Sequence, residues 1–206
     1  MVHGYHLIWS TYGFRLPNDP RGSKSKKVYA ELLKSFGGAR QEVAKVAVTP
    51  NDLHLWRTQT ELRLKYPPVT LQPKQIEFVS EAIGRFVERS RMTVWACSLL
   101  EQHIHMVIGR HRYSIETACN LMKGAASRRL NEMELHPMIC FSNNKGKLPS
   151  MWTEGQWIHF LDDEDAIDDA MRYVEDNPVK EGKEKQSWWF VERFQGITGG
   201  GWSTYN

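Results

Sequence analysis

The sequence has few of the features that mark secreted or membrane proteins. It contains only three cysteines, Cys97, Cys119 and Cys140, an odd number without the spacing of a metal site. We therefore interpret all three as small core residues of a protein in a reducing compartment. No basic N-terminal segment precedes an apolar run, and no stretch is long enough to span a bilayer. These absences predict a soluble, cytoplasmic protein with no membrane partner.

The chain also lacks a strong charge of one sign. Its 27 Lys and Arg residues exceed its 24 Asp and Glu residues only slightly, and the sequence pI is about 8.7. This balance permits a nucleic-acid partner without requiring one, because a local basic patch matters more than the total. Tryptophan is unusually frequent, with eight copies. A chain of 206 residues most simply forms one domain with a sizeable core.

Hydrophobic periodicity predicts an α+β fold. The expected strands cover 5–12, 93–100, 103–109 and 152–161, and the expected helices cover 74–92, 114–133 and 162–177. We expect Pro178 to stop the last helix. Strand, helix, strand, strand, helix, strand is the split β-α-β order of a ferredoxin-like antiparallel sheet with helices on one face. The last helix is additional to that pattern.

Two regions do not fit the pattern. We treat 18–73 as an insertion or elaborated loop, because turn residues and prolines interrupt its apolar pieces, apart from a helix-forming stretch at 24–40. The segment 183–206, rich in tryptophan and glycine, is expected to be a C-terminal tail. The prediction is therefore a single domain over 1–206 with one insertion and one tail.

His103 and His105 are the central candidate residues. Alternate residues of a strand share a face, so the two imidazoles project side by side, while Ile104, Met106 and Ile108 point into a core. Two adjacent imidazoles provide two ligands of a metal site that would need a third. On this evidence alone, one histidine could equally cap the strand while the other is merely exposed.

A second pair lies in the last predicted helix. Tyr173 and Asn177 are four positions apart and so share a face of that helix. Taken separately, the tyrosine is typical of packing and the asparagine is typical of a helix end.

Together, the two pairs resemble a known family. The strand His103-Ile104-His105, followed by a basic helix, resembles the HUH motif of single-tyrosine nucleases, and the segment from Tyr173 to Gly182 is similar to their tyrosine helix. The resemblance is to the IS200-like transposases, and especially to the REP-associated tyrosine transposases. It covers 5–12 and nearly all of 74–182. The long insertion after the first strand, and Glu101-Gln102 in place of a Pro-containing turn, depart from the family pattern.

The resemblance implies a chemistry and a set of site residues. His103, His105 and Asn177 would bind a divalent metal, and mixed nitrogen and oxygen ligands with open positions suit Mg²⁺ or Mn²⁺. Tyr173 would attack single-stranded, hairpin-forming DNA and form a 5′-phosphotyrosine intermediate during cleavage and strand transfer. A homodimer is left open.

Basic residues are candidates for phosphate contacts. Lys123, Arg128 and Arg129 lie on the helix before the tyrosine helix, and Lys180 follows Asn177. A solvated basic helix face is the ordinary alternative for each of them. We assign neither His6 nor Gln102 as a metal ligand.

Two other functions remain as alternatives. A domesticated DNA-hairpin-binding protein would bind without cutting, and we would expect it to have lost a ligand or the nucleophile; neither is lost here. A structural or scavenging Zn²⁺ protein would use the histidines but not Tyr173.

Overall fold

A computed structural model of the chain describes residues 1–14, 16, 18–20 and 49–197. The strands are β1 (Gly4–Ser10), β2 (Val94–Leu99), β3 (His103–Gly109) and β4 (Trp157–Leu161). The helices are α1 (Pro50–Glu61), α2 (Pro73–Ser90), α3 (Ile115–Glu132) and α4 (Glu164–Lys180), with a short 3-10 helix at Ile139–Phe141. The helix-forming stretch predicted at 24–40 lies outside the described residues.

The four strands form one antiparallel sheet in the order β2-β3-β1-β4. β2 and β3 form an antiparallel hairpin, and β1 pairs with β4 so that His6 lies opposite His159. This is the order that a split β-α-β pattern produces, with β3 placed between β2 and β1. The predicted α+β, ferredoxin-like fold is therefore confirmed.

The chain forms two compact units. The first, which we call the sheet unit, comprises Met1–Trp9, Leu71–His136 and the described residues from 156 onward. The second comprises the described residues of Ser10–Thr70 together with Pro137–Gly155, and it contains α1. Within the second unit, Thr11 pairs with Trp152 in an isolated bridge. The single-domain description, with its insertion at 18–73 and tail at 183–206, stays a prediction.

Helix α4 packs on one face of the sheet. Its residues Ile167, Ala170 and Val174 form a buried cluster with Ala96 of β2 and Val107 of β3. Because side chains alternate along a strand, Val107 shares its face with His103 and His105, so α4 lies over the face that carries the histidines.

The opposite face of β3 is part of the core. Ile104, Met106 and Ile108 are fully buried there, as predicted. Helices α2 and α3 pack against each other, and α3 is capped by Ser114, whose side chain accepts a hydrogen bond from the Thr117 backbone N–H.

Two predicted boundaries are wrong. The strand expected from Trp152 starts only at Trp157, because Gly155 adopts a φ of 74° that breaks the extended backbone. The last helix does not stop at Pro178 but continues to Lys180. A left-handed turn at Gly182, whose φ is 72°, terminates it: the Gly182 N–H donates to Val179 O and the Lys183 N–H donates to Pro178 O. Proline lacks a backbone N–H but keeps its carbonyl, and the carbonyl of Pro178 accepts a hydrogen bond at this left-handed helix end.

Candidate functional site

The two histidines of β3 lie side by side, as the strand spacing predicts. Their ring centroids are 5.0 Å apart, with the ring planes at 76°. His103 is 9% exposed and His105 is 5% exposed, so both imidazoles are largely removed from water. The neutral imidazole is the form that binds a metal.

Helix α4 brings Tyr173 and Asn177 to the same place. Asn177 Nδ2 lies 3.4 Å from His103 Nε2, and the Tyr173 ring centroid lies 5.7 Å from that of His105. Asn177 is 7% exposed, whereas Tyr173 is 46% exposed. A side-chain amide can be turned to present its oxygen where its nitrogen stands. The helix therefore offers a buried amide beside His103 and a phenol that solvent can reach.

His6, on the neighbouring strand β1, is a further member of this cluster. Its Nε2 lies 3.1 Å from His105 Nδ1, and its ring centroid is 5.7 Å from that of Tyr173. Burial, and secondarily the charge of His159, lowers the pKa of His6 to about 4. Sequence reasoning considered His6 as a ligand but did not find its contact with His105. That contact depends on the pairing of β1 beside β3.

Glu181 is a residue that sequence reasoning missed. Its Oε1 lies 3.5 Å from His103 Nε2, and burial raises the pKa of this carboxyl. The available signal was its position one helical turn after Asn177. Nearby, Lys183 Nζ pairs with Glu101 Oε1 at 2.6 Å and connects the end of α4 to the turn before β3.

The donor set suits a divalent cation. Two imidazoles and an amide provide mixed nitrogen and oxygen ligands, which Mg²⁺ and Mn²⁺ accept. Across the described residues, no group of three or more His, Cys, Asp or Glu side chains could hold a metal ion by itself. The predicted site therefore includes the Asn177 amide as its third ligand.

The predicted DNA-contacting residues are divided between two places. Lys180 lies at the site, with its Nζ 4.3 Å from the centroid of the Tyr173 ring. Lys123, Arg128 and Arg129 lie on α3, which packs against α2. Lys123 is buried, which lowers the pKa of its amine, and Arg128 is exposed. Arg129 Nε donates to Glu81 Oε2 at 2.9 Å, an arrangement typical of a structural contact.

In the described part of the chain, every helix is too short or too polar to cross a membrane.

Comparison with known proteins gives one family match. The family model described as "Transposase IS200 like" matches residues 58–177, a range that contains both histidines of β3, Tyr173 and Asn177. Curated protein sequences give no match.

The solved structures that are similar to the chain include the following two. One is a REP-associated tyrosine transposase bound to a REP hairpin, with 12% identity, a TM-score of 0.48, and coverage of 90% of this chain and 73% of the other. The other is a candidate transposase from Deinococcus radiodurans R1, with 13% identity, a TM-score of 0.38, and coverage of 85% and 91%.

Proposed function

Because the chain belongs to the IS200-like transposases, we propose that it cleaves and rejoins single-stranded, hairpin-forming DNA, with Tyr173 as the nucleophile. The observation that carries this proposal is the convergence of Tyr173 and Asn177 on the two histidines of β3. A half-exposed phenol beside buried ligands is accessible to a DNA strand, whereas a purely structural tyrosine would not need that exposure.

The proposed chemistry is an attack of the Tyr173 phenol on a phosphodiester. Tyr173 Oη attacks the phosphorus, a P–O–tyrosine bond forms, and the P–O3′ bond breaks to give a 5′-phosphotyrosine and a free 3′-hydroxyl. The phenol loses a proton and the departing O3′ gains one, so the step balances. A second 3′-hydroxyl can reverse the exchange, because the phosphodiester energy is kept in the tyrosyl linkage.

His103, His105 and Asn177 would hold the divalent ion, Mg²⁺ or Mn²⁺. When bound, this ion would polarise the phosphate and offset the charge that develops on it. Lys180, beside the Tyr173 ring, would hold a DNA phosphate near the phenol. The exposed Arg128 would contact the DNA elsewhere.

The test is covalent capture of DNA. A pool of single-stranded hairpins with randomised flanks, labelled at the 3′ end, is incubated with Mn²⁺ and the protein, and denaturing electrophoresis detects the adduct. We expect an adduct with the 3′ label but not with a 5′ label, and none with Tyr173→Phe. The matched control is Tyr113→Phe, which changes a half-buried tyrosine of the sheet unit and should still form the adduct.

Two results would overturn the proposal. One is an adduct that persists in Tyr173→Phe. The other is a folded, Mn²⁺-loaded wild type that forms no adduct; if this protein still bound the hairpins, it would be a DNA-hairpin-binding protein without cleavage activity.

A further inference from the structure

His6 contacts His105 but is not one of the predicted metal ligands. His6 lies on β1, outside the residues 58–177 that match the family model. We propose that His6 is a positioning residue that accepts the Nδ1–H of His105 and thereby leaves His105 Nε2 available to a metal. This inference rests on the proposed function in one respect, because that function supplies the divalent metal as the group that His105 would bind.

The hydrogen bond limits which nitrogen can bind a cation. His6 Nε2 and His105 Nδ1 are 3.1 Å apart, a normal hydrogen-bond distance between two buried rings. A neutral imidazole has one donor and one acceptor nitrogen, so one of the two rings must donate to the other. If His105 donates, its Nε2 carries a lone pair. If His6 donates, His105 Nε2 carries a hydrogen and cannot bind a metal.

Metal-binding histidines commonly donate their second ring N–H to a neighbouring acceptor, which fixes the tautomer and the ring orientation. That acceptor is usually a carboxylate, a backbone carbonyl or water. Here the neighbouring atom is the Nε2 of another imidazole. The 3.1 Å contact allows either ring to donate, and by the common pattern we infer that His105 donates, with His6 in the place of the carboxylate or carbonyl.

His6 is itself well oriented. It is buried, its strand pairs with β4 so that His159 lies opposite, and its ring contacts that of Tyr173 at 5.7 Å between centroids. A ring held by the sheet on one side and by α4 on the other can impose its orientation on His105. The same residue contacts both a proposed metal ligand and the proposed nucleophile.

The first experiment needs neither metal nor variant. Nitrogen-15 NMR of the metal-free wild type reports which nitrogen of each imidazole carries hydrogen, with His105→Gln used to assign the signals. We expect hydrogen on Nδ1 of His105 and a lone pair on Nε2. A population dominated by the Nε2–H tautomer would overturn the inference, whatever the protein does to DNA.

The second experiment measures Mn²⁺ affinity by calorimetry. We expect His6→Leu to weaken binding by about 10–100-fold, the usual effect of removing an outer partner of a metal ligand. His6→Gln, whose amide oxygen can accept the same hydrogen bond, should recover most of the loss. His54→Gln, which replaces an exposed histidine of α1, is the control and should bind like the wild type.

The outcomes separate the two proposals. A wild type that binds no Mn²⁺ overturns both the metal site and the role of His6 in it. Equal Mn²⁺ affinity of the wild type and a folded His6→Leu overturns the role of His6 alone. If the wild type binds Mn²⁺ and His6→Leu weakens that binding as expected, but no DNA adduct forms, only the proposed nuclease function is overturned.

Discussion

Asn177 Nδ2 lies 3.4 Å from His103 Nε2, although the two residues are 74 positions apart in the chain. A buried amide placed against a buried imidazole is one element of a site that two remote segments must build together. The predictions that follow test which side chains of this site, and of the basic helix α3, have the roles that their contacts indicate.

Removing the amide should weaken metal binding. Asn177→Leu keeps an apolar side chain of similar size but lacks the oxygen, so we expect at least about a tenfold loss of Mn²⁺ affinity. Asn177→Asp keeps an oxygen ligand and adds negative charge, so it should bind at least as tightly as the wild type. Calorimetric titration checks both variants, and unchanged affinity in a folded Asn177→Leu would show that the amide is not a ligand.

Lys180 should contribute to DNA binding at the site. Replacing it with methionine removes a charge 4.3 Å from the Tyr173 ring centroid, and we expect weaker binding of single-stranded DNA. The slope of log affinity against log salt should fall by about 0.7, the value for one phosphate contact on a single strand. Lys185→Met is the control, because Lys185 pairs with Asp176. An equal loss in both variants would indicate only a general effect of net charge.

The adjacent arginines of α3 should behave differently from each other. Arg129 pairs with Glu81, and its Cζ lies 5.2 Å from the centroid of the Phe78 ring. Arg129→Met should therefore lower the melting temperature. Arg128 is exposed, so Arg128→Met should leave the melting temperature unchanged and weaken DNA binding. Thermal unfolding and a fluorescence binding assay measure the two effects. A loss of DNA affinity in Arg129→Met without any loss of stability would reverse this assignment.

Two helical glycines should respond to alanine with opposite signs. At Gly84 of α2, an added Cβ would lie 2.7 Å from Phe190 Cδ1 and would also meet the Trp189 ring. Overpacking costs about 1–3 kcal/mol, whereas the helix-propensity gain is about 1 kcal/mol, so Gly84→Ala should be destabilising.

Gly124 of α3 is the matched control. There, an added Cβ would meet only the flexible Arg128 Nη1, at 3.3 Å. Gly124→Ala should therefore gain up to about 1 kcal/mol. Denaturant unfolding followed by tryptophan fluorescence compares the two variants. If both changes stabilise the protein, Trp189 and Phe190 do not pack firmly on α2.

Sequence periodicity was sufficient for most of the sheet unit. Alternation along β3 placed His103 and His105 on one face, and helical spacing placed Tyr173 with Asn177, because both relationships are local. Boundaries were less predictable. Pro178 is a strong stop signal, yet the carbonyl groups of the last turn are satisfied further along, at Gly182 and Lys183.

The sequence by itself determined the main elements of the sheet unit and the two residue pairs, since each is encoded within a short stretch, and the two pairs together carried the family resemblance. Only the tertiary structure decided that His6 contacts His105, that Glu181 lies beside His103, that Lys123 is buried and that Arg129 pairs with Glu81. These four relationships depend on which strand lies beside β3 and on how the helices pack. Long-range pairing and packing select such neighbours, and of the four only Glu181, one helical turn after Asn177, had a local signal in the sequence.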